Sequence, residues 1–182
     1  MKQAWLYVCG LILVVMISLG ASPALGGSGS GPYYGTPSWD QTLPASARFM
    51  VLTNMNGAAV LDRETGLVWE KSPSTDTFDW ESAQYAHCNS LSTGGRLGWR
   101  LPTIQELASL VDPSVPSPGP TLPSGHPFSN VQSAYYWSAT TWANDTSFAW
   151  GVGFHNTVVD IFGKSARFPV WCVRGGQGVD PQ

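Results

Sequence analysis

Leu101-Pro102-Thr103-Ile104-Gln105-Glu106-Leu107 is a capping box running into an apolar stripe. Thr103 stands as N-cap and Glu106 follows three residues later, the pair that satisfies two backbone amides at a helix start reciprocally. Ile104, Leu107, Leu110 and Val111 recur at helical spacing, and Asp112-Pro113 stops the helix. Upstream, Asp79 is placed to cap another helix beginning at Trp80. Trp80, Ala83, His87 and Leu91 share one face of it, and Gly94-Gly95 ends it.

On either side of these two helices the signals are those of strands. Phe49-Met50-Val51-Leu52 and Ala58-Ala59-Val60-Leu61 are short apolar runs; Asp62-Arg63-Glu64-Thr65-Gly66 turns the chain and Leu67-Val68-Trp69-Glu70 returns it, a hairpin pattern. Residues 112–127 carry six prolines without periodicity and read as a long surface loop. Beyond it lie Tyr135-Tyr136-Trp137-Ser138-Ala139-Thr140, then Phe148, Trp150, Val152 and Phe154 alternating with small residues, then Thr157 to Phe162 after a turn at His155-Asn156. Pro169 to Arg174 is expected to close the sheet. Two helices between an early hairpin and a late run of strands make an α+β domain.

The address of the chain is legible at its start. Lys2 precedes an apolar core from Trp5 to Leu19, and Ala21-Ser22-Pro23-Ala24 supplies small residues for a peptidase, the three parts of a secretory signal. The core is shorter than the roughly 20 residues that span a bilayer. The expected division is a signal peptide at 1–24, a Gly/Ser/Pro-rich flexible leader at 25–48, the folded domain at 49–175 and a tail at 176–182. The expected location is secreted or periplasmic, with no membrane span after cleavage.

Without Lys2 the chain keeps eight basic and twelve acidic side chains, a formal charge of −4. No basic cluster exists, which argues against nucleic acid as a partner. Charged residues are 12% of the chain, about half the usual share, while Trp, Gly and Pro are plentiful. Cys88 and Cys172 remain after cleavage, and an even pair in an oxidising compartment reads first as a disulfide. A metal pair or redox couple would be marked by CxxC spacing or a nearby His cluster, and neither accompanies them.

Gly66-Leu67-Val68-Trp69, Trp80-Glu81-Ser82-Ala83, Cys88-Asn89-Ser90-Leu91, Gly98-Trp99-Arg100-Leu101-Pro102-Thr103, Glu106-Leu107, Tyr136-Trp137-Ser138 and Cys172-Val173-Arg174 follow one another in an order that resembles a bacterial exported domain. That domain stands at the C-terminus of the Legionella collagen-like adhesin, and the likeness covers about residues 49–175. It implies a C-type-lectin-like fold with two helices packed on short, mostly antiparallel strands and the two cysteines joined. It also implies a role in adhesion or surface binding. Trp69, Trp80, Trp99, Arg100, Pro102, Thr103, Glu106 and Trp137 are then scaffold. The Arg100-to-Glu106 segment is similar, more distantly, to the formylglycine-generating enzymes, whose active-site cysteine pair this chain lacks.

Trp69, Trp80, Trp99, Trp137 and Trp171 fall where the pattern points inward, whereas Trp142 lies in a polar segment with Asn144 and Asp145. An exposed indole beside amide and carboxylate groups suits sugar recognition, the ring stacking on a C–H face. The same residues also read as a turn, since Asn-Asp-Thr is turn chemistry. The loops around 141–147 and 155–156 are the expected ligand site, with Trp142, Asn144, Asp145, His155 and Asn156 as its residues. His87 is expected to be packed and His155 to be a solvated turn residue. Calcium needs about six to eight oxygen ligands, and no other acids cluster here, so neither a metal nor another cofactor is expected. No HExxH or GxSxG occurs, and no cysteine is left outside the pair. The chain therefore reads as a non-catalytic binding module for a glycan or an envelope or host surface protein. The alternatives are a structural component of an envelope complex and a divergent relative of the formylglycine-generating enzymes.

Overall fold

A computed structural model of the chain describes residues 43–175. The expected signal peptide, the leader up to residue 42 and the tail lie outside the described residues. The strands are β1 (Phe49–Val51), β2 (Ala59–Asp62), β3 (Val68–Glu70), β4 (Thr77–Phe78), β5 (Tyr135–Thr141), β6 (Phe148–Gly153), β7 (Val159–Gly163), β8 (Phe168–Pro169) and β9 (Val173–Arg174). A helical turn, α1 (Ala45–Arg48), precedes β1, and a short helix, α2 (Ile104–Ala108), sits mid-chain. Every strand pair is antiparallel: four strands in the order β1-β2-β3-β9, a β4-β8 pair, and a meander β5-β6-β7. The molecule is mixed α+β, mostly strand, with one disulfide joining Cys88 and Cys172.

The early hairpin forms as its pattern predicts. Val60 pairs with Trp69 across β2 and β3, and both are fully buried. Gly66 closes the turn at φ +71°, a conformation that costs glycine nothing, while its amide donates to the Asp62 carbonyl at 2.8 Å. The capping box on α2 is complete: the Glu106 amide donates to Thr103 Oγ1 at 3.2 Å, and the Thr103 amide to Glu106 Oε2 at 2.8 Å. Glu106 also takes Arg100 in a two-pronged pair at 2.7 Å on each arm. Arg100 thereby pins the loop to the helix start, as scaffold.

Four expectations need correction. The helix expected from Trp80 is wound as a π-helix over Ser82–His87, followed by a 3₁₀ turn at Cys88–Ser90. Its buried residues are Ala83 and Cys88, five apart, whereas an α-helix would have paired Ala83 with His87. The wider winding turns Cys88 toward Cys172 and leaves His87 half-buried. Second, Pro169 to Arg174 is two strands in different sheets. Val170, Trp171 and Cys172 between them are all at 0% exposure, so the segment buries consecutive side chains and crosses between layers instead of alternating in one ladder. Its first strand pairs with Thr77–Phe78, which had no strand signal. Third, the proline-rich loop does not stay on the surface: Thr121 and Leu122 are buried. Fourth, the folded part already includes residues read as leader, because Ala45 and Arg48 of α1 are buried.

The core has two parts. Leu67, Trp69, Leu107, Tyr136, Phe154 and Trp171 fill one, with Trp171 packed edge-on to Trp69 at 5.8 Å and to Phe128 at 4.8 Å. The disulfide, Trp99, Leu101 and Trp137 fill the other. Rings of this size dominate core energetics, which suits a chain poor in long helices. Trp80 departs from the inward reading and is half-buried at the edge of the domain.

Candidate functional site

The start of the π-helix and the turn that follows β7 face each other across an open groove of about 680 Å³. One wall carries Asp79, Trp80, Glu81 and Tyr85, and the other Lys164, Ser165 and Arg167. Asp79 caps its helix as expected, taking the Ser82 amide and hydroxyl at 2.9 Å each. Those two donors hold its carboxyl below the ordinary carboxylate range. Trp80 is anchored by its indole N–H, which donates to the Ser138 carbonyl at 2.8 Å. Lys164 spreads its ammonium over the indole, 3.7 Å from the ring centroid, and donates to Thr141 Oγ1 at 3.0 Å. Arg167 donates to the Thr77 carbonyl at 2.6 Å and approaches Asp79 at 3.9 Å while staying largely in solvent.

This arrangement leaves Tyr85 as the open aromatic face, 59% exposed, in a groove lined by two carboxylates and two cations. A ring that a ligand can stack on, beside donors and acceptors on anchored elements, is the equipment of a recognition site. In a chain with few charges, the meeting of Asp79, Glu81, Lys164 and Arg167 is notable. The sequence reading missed it because Lys164 and Arg167 lie more than 75 positions from Trp80 and Glu81. The one available signal was the charged flank on each segment, Asp79-Trp80-Glu81 and Lys164-Ser165-Ala166-Arg167.

The expected site residues do not converge. Trp142, Asn144 and Asp145 lie in the β5–β6 loop, and His155 and Asn156 in the β6–β7 turn. Successive turns of a meander fall at opposite ends of the sheet, here separated by the six residues of β6 at about 3.4 Å each. Trp142 packs edge-on to Phe148 with centroids 5.9 Å apart and is half-buried. Asp145 accepts from the Ser147 hydroxyl and amide at 2.5 and 2.9 Å, a turn that lowers its pKa. His155 is not a solvated turn residue: it is half-buried and packs edge-on to Tyr135 at 4.8 Å. Asn156 Oδ1 takes the Val158 amide at 3.1 Å, closing its own turn. Only the β5–β6 loop borders the groove, through the Lys164 amide, which donates to the Ser147 carbonyl at 2.9 Å.

A second cluster lies inside the domain. Glu70, 5% exposed, accepts the Cys172 amide on Oε2 at 3.1 Å and the Thr93 hydroxyl on Oε1 at 3.4 Å. Next to it is His87, stacked on Phe78 at 4.5 Å, whose Nε2 is buried without a hydrogen-bond partner. One donor atom from each of Glu70, His87 and Cys172 lies within 4.8 Å of the others. Burial pushes the Glu70 carboxyl from 4.5 up to about 7, against the lowering effect of the Cys172 amide and the Thr93 hydroxyl. Burial also pushes His87 below the ordinary imidazole value, against the pull of Asp76.

The raised Glu70 value carries a sign. The folded chain holds a proton that the unfolded chain releases, so this stabilisation is complete below about 4.5 and is lost as pH rises through about 7. Glu70→Gln is therefore expected to match the parent at pH 4 and to exceed it at pH 8 by roughly 3 kcal/mol. His87 acts in the opposite direction, gaining stability as pH rises, so the difference between the two proteins carries the Glu70 effect with its coupling to His87. Urea unfolding at the two pH values checks this; equal stability at pH 8 would show that the ionised carboxylate carries no burial penalty.

A family model described as the Lcl C-terminal domain matches residues 58–174, from just before β2 to the end of β9. Among curated proteins no relative matches. Nothing in the family match supports the likeness to the formylglycine-generating enzymes. Because the match spans more than half of the chain and every strand from β2 to β9, this protein belongs to the Lcl C-terminal domain family.

Proposed function

We propose that this protein is an exported, non-catalytic recognition module with a C-type-lectin-like fold. Its ligand, a glycan or a protein of the cell envelope or a host surface, seats in the groove between Tyr85 and Arg167. The observation that carries this reading is the open groove itself, in which an exposed ring stands among charged groups of both signs. Trp80 contributes beneath the surface, holding Lys164 in place through the cation–π contact. The groove polar groups reach sugar hydroxyls or a peptide backbone without a metal, so recognition is expected to survive EDTA.

A glycan array of the processed chain, run with calcium and with EDTA, is the test. Tyr85→Ala with Arg167→Ala is expected to lower affinity at least tenfold, the loss of a stacking ring and a charged donor, with the melting temperature unchanged because both side chains are largely exposed. Trp142→Ala with Asn144→Ala is expected to bind like the parent. The reverse outcome would move the site to the β5–β6 loop, and loss of binding in EDTA would make the module metal-dependent. One observation favours the second reading, an assembly component: β7 is an outer strand, and Val158 just before it and Val159 at its start are 44% and 42% exposed. Silence on the array together with a stoichiometric envelope partner in a pull-down would establish that reading.

A further inference from the structure

The disulfide sits among two polar side chains that the oxidised fold leaves incompletely used. Cys88 and Cys172 are both fully buried, in the part of the core around Trp99 and Trp137. His87 precedes Cys88 in the chain and buries its Nε2 without a partner. Glu70 brings a carboxylate that accepts one amide, from Cys172, and one hydroxyl, from Thr93. A buried imidazole nitrogen with no partner costs on the order of 1–3 kcal/mol, so such a group calls for a physical reason.

We propose that the disulfide occupies a latent metal site, and that on reduction Cys88, Cys172, His87 and Glu70 bind a zinc-class divalent ion. The donor set is two thiolates, an imidazole and a carboxylate, a tetrahedral complement for zinc. Donors of a tetrahedral zinc site stand roughly 3.4–3.8 Å apart, from bond lengths of about 2.0–2.3 Å. The Glu70, His87 and Cys172 donors already fall within 4.8 Å of one another, so these three reach ligand spacing with movements of about 1 Å. The fourth donor, Cys88, is supplied when its sulfur parts from that of Cys172.

The step balances with a dithiol as reductant. The dithiol gives two electrons and two protons to the Cys88–Cys172 bond, becoming a cyclic disulfide as two thiols form. The metal ion then displaces both thiol protons to solvent as two metal–sulfur bonds form. Disulfide and metal are thus alternative cross-links at one place, joining the π-helix to the segment before β9. The ion keeps the reduced chain folded and shields its thiols from non-specific oxidation.

Cobalt(II) binding to the purified chain tests this, with a water-soluble phosphine as reductant so that no thiol competes; the phosphine takes its oxygen from water. The reduced chain is expected to bind a single cobalt ion with a sulfur-to-cobalt charge-transfer band and the visible bands of tetrahedral cobalt. The chain with its disulfide intact is expected to show neither. His87→Ala and Glu70→Gln are each expected to weaken binding by at least the roughly tenfold that loss of a ligand's supporting partner costs. If the reduced chain unfolds alone, zinc is expected to restore its near-ultraviolet circular dichroism. Three results would overturn the proposal: no cobalt bound by the reduced chain, binding indifferent to both variants, or a reduced chain that stays unfolded in zinc.

Discussion

Replacing Cys88 and Cys172 together with Ala lowers the free energy of unfolding by about 4–5 kcal/mol, the chain-entropy value for a cross-link of this span. The two cysteines are 84 positions apart, so the bond removes from the unfolded ensemble every conformation in which the π-helix and the last strands are distant. Ala suits the test because both positions are fully buried and Ser would add two hydroxyls without assured partners. β9 itself is short, two residues, with the backbone exchange between Arg100 and Val173 on one side and β3 on the other. Guanidinium unfolding of parent and variant measures the difference. A loss below about 1 kcal/mol would mean that the unfolded chain is already restricted without the bond.

Arg48→Ala is the second large effect, with an expected loss of about 3–5 kcal/mol. Arg48 is 1% exposed and meets Asp62, at 0%, through two parallel contacts of 3.0 and 2.7 Å. It also approaches Glu64 at 3.2 Å and donates to the Ser109 carbonyl at 2.9 Å, a carbonyl at the end of α2. Truncation leaves the Asp62 carboxylate in the interior without its counter-ion and removes one donor from the Ser109 carbonyl. Arg48→Lys is expected to recover little, since an ammonium cannot make the forked contact and reach Ser109 as well. An Arg48→Ala, Asp62→Ala double variant is expected to lose less than the two single losses combined, because the second change removes the stranded charge. Thermal unfolding of the four proteins closes the cycle; additive losses would show that the pair is not coupled.

Arg48 also shows where sequence reading met its limit. It stands in a Ser-Ala-Arg stretch with no apolar periodicity, so it fell to the leader. Its partners Asp62 and Glu64 both read as turn residues; Glu64 is one, whereas Asp62 is the last residue of β2. What a sequence does not display is that a turn and a leader segment meet in the interior around one guanidinium. The π-helix was hidden for a related reason. Trp80, Ala83, His87 and Leu91 fit a 3.6-residue period, and the wider winding follows from the demand that Cys88 face a residue 84 positions away. Local periodicity carries no information about that demand.

The candidate site divides in the same way. Trp142, Asn144 and Asp145 were correctly read as a polar loop between two strands, and Asp145 as turn chemistry. Their grouping with His155 and Asn156 failed on sheet geometry, because consecutive hairpin turns point to opposite ends. Tyr85, Lys164 and Arg167 drew no attention, since each is an ordinary surface residue until the groove assembles.

The amino-acid sequence by itself determined the elements whose cause is local or compositional. These are the Thr103–Glu106 capping box, the β2–β3 hairpin with its glycine turn, the strands of the β5-β6-β7 meander and the pair of cysteines beyond the apolar N-terminal stretch. Each rests on contacts within about twenty residues or, for the cysteines, on their number. Tertiary structure alone decided the π winding, the split of 168–174 between two sheets, the buried Arg48 network, the groove at Tyr85 and the Glu70–His87 cluster. These depend on which distant segments share the interior. Close packing, which no local pattern records, sets that choice.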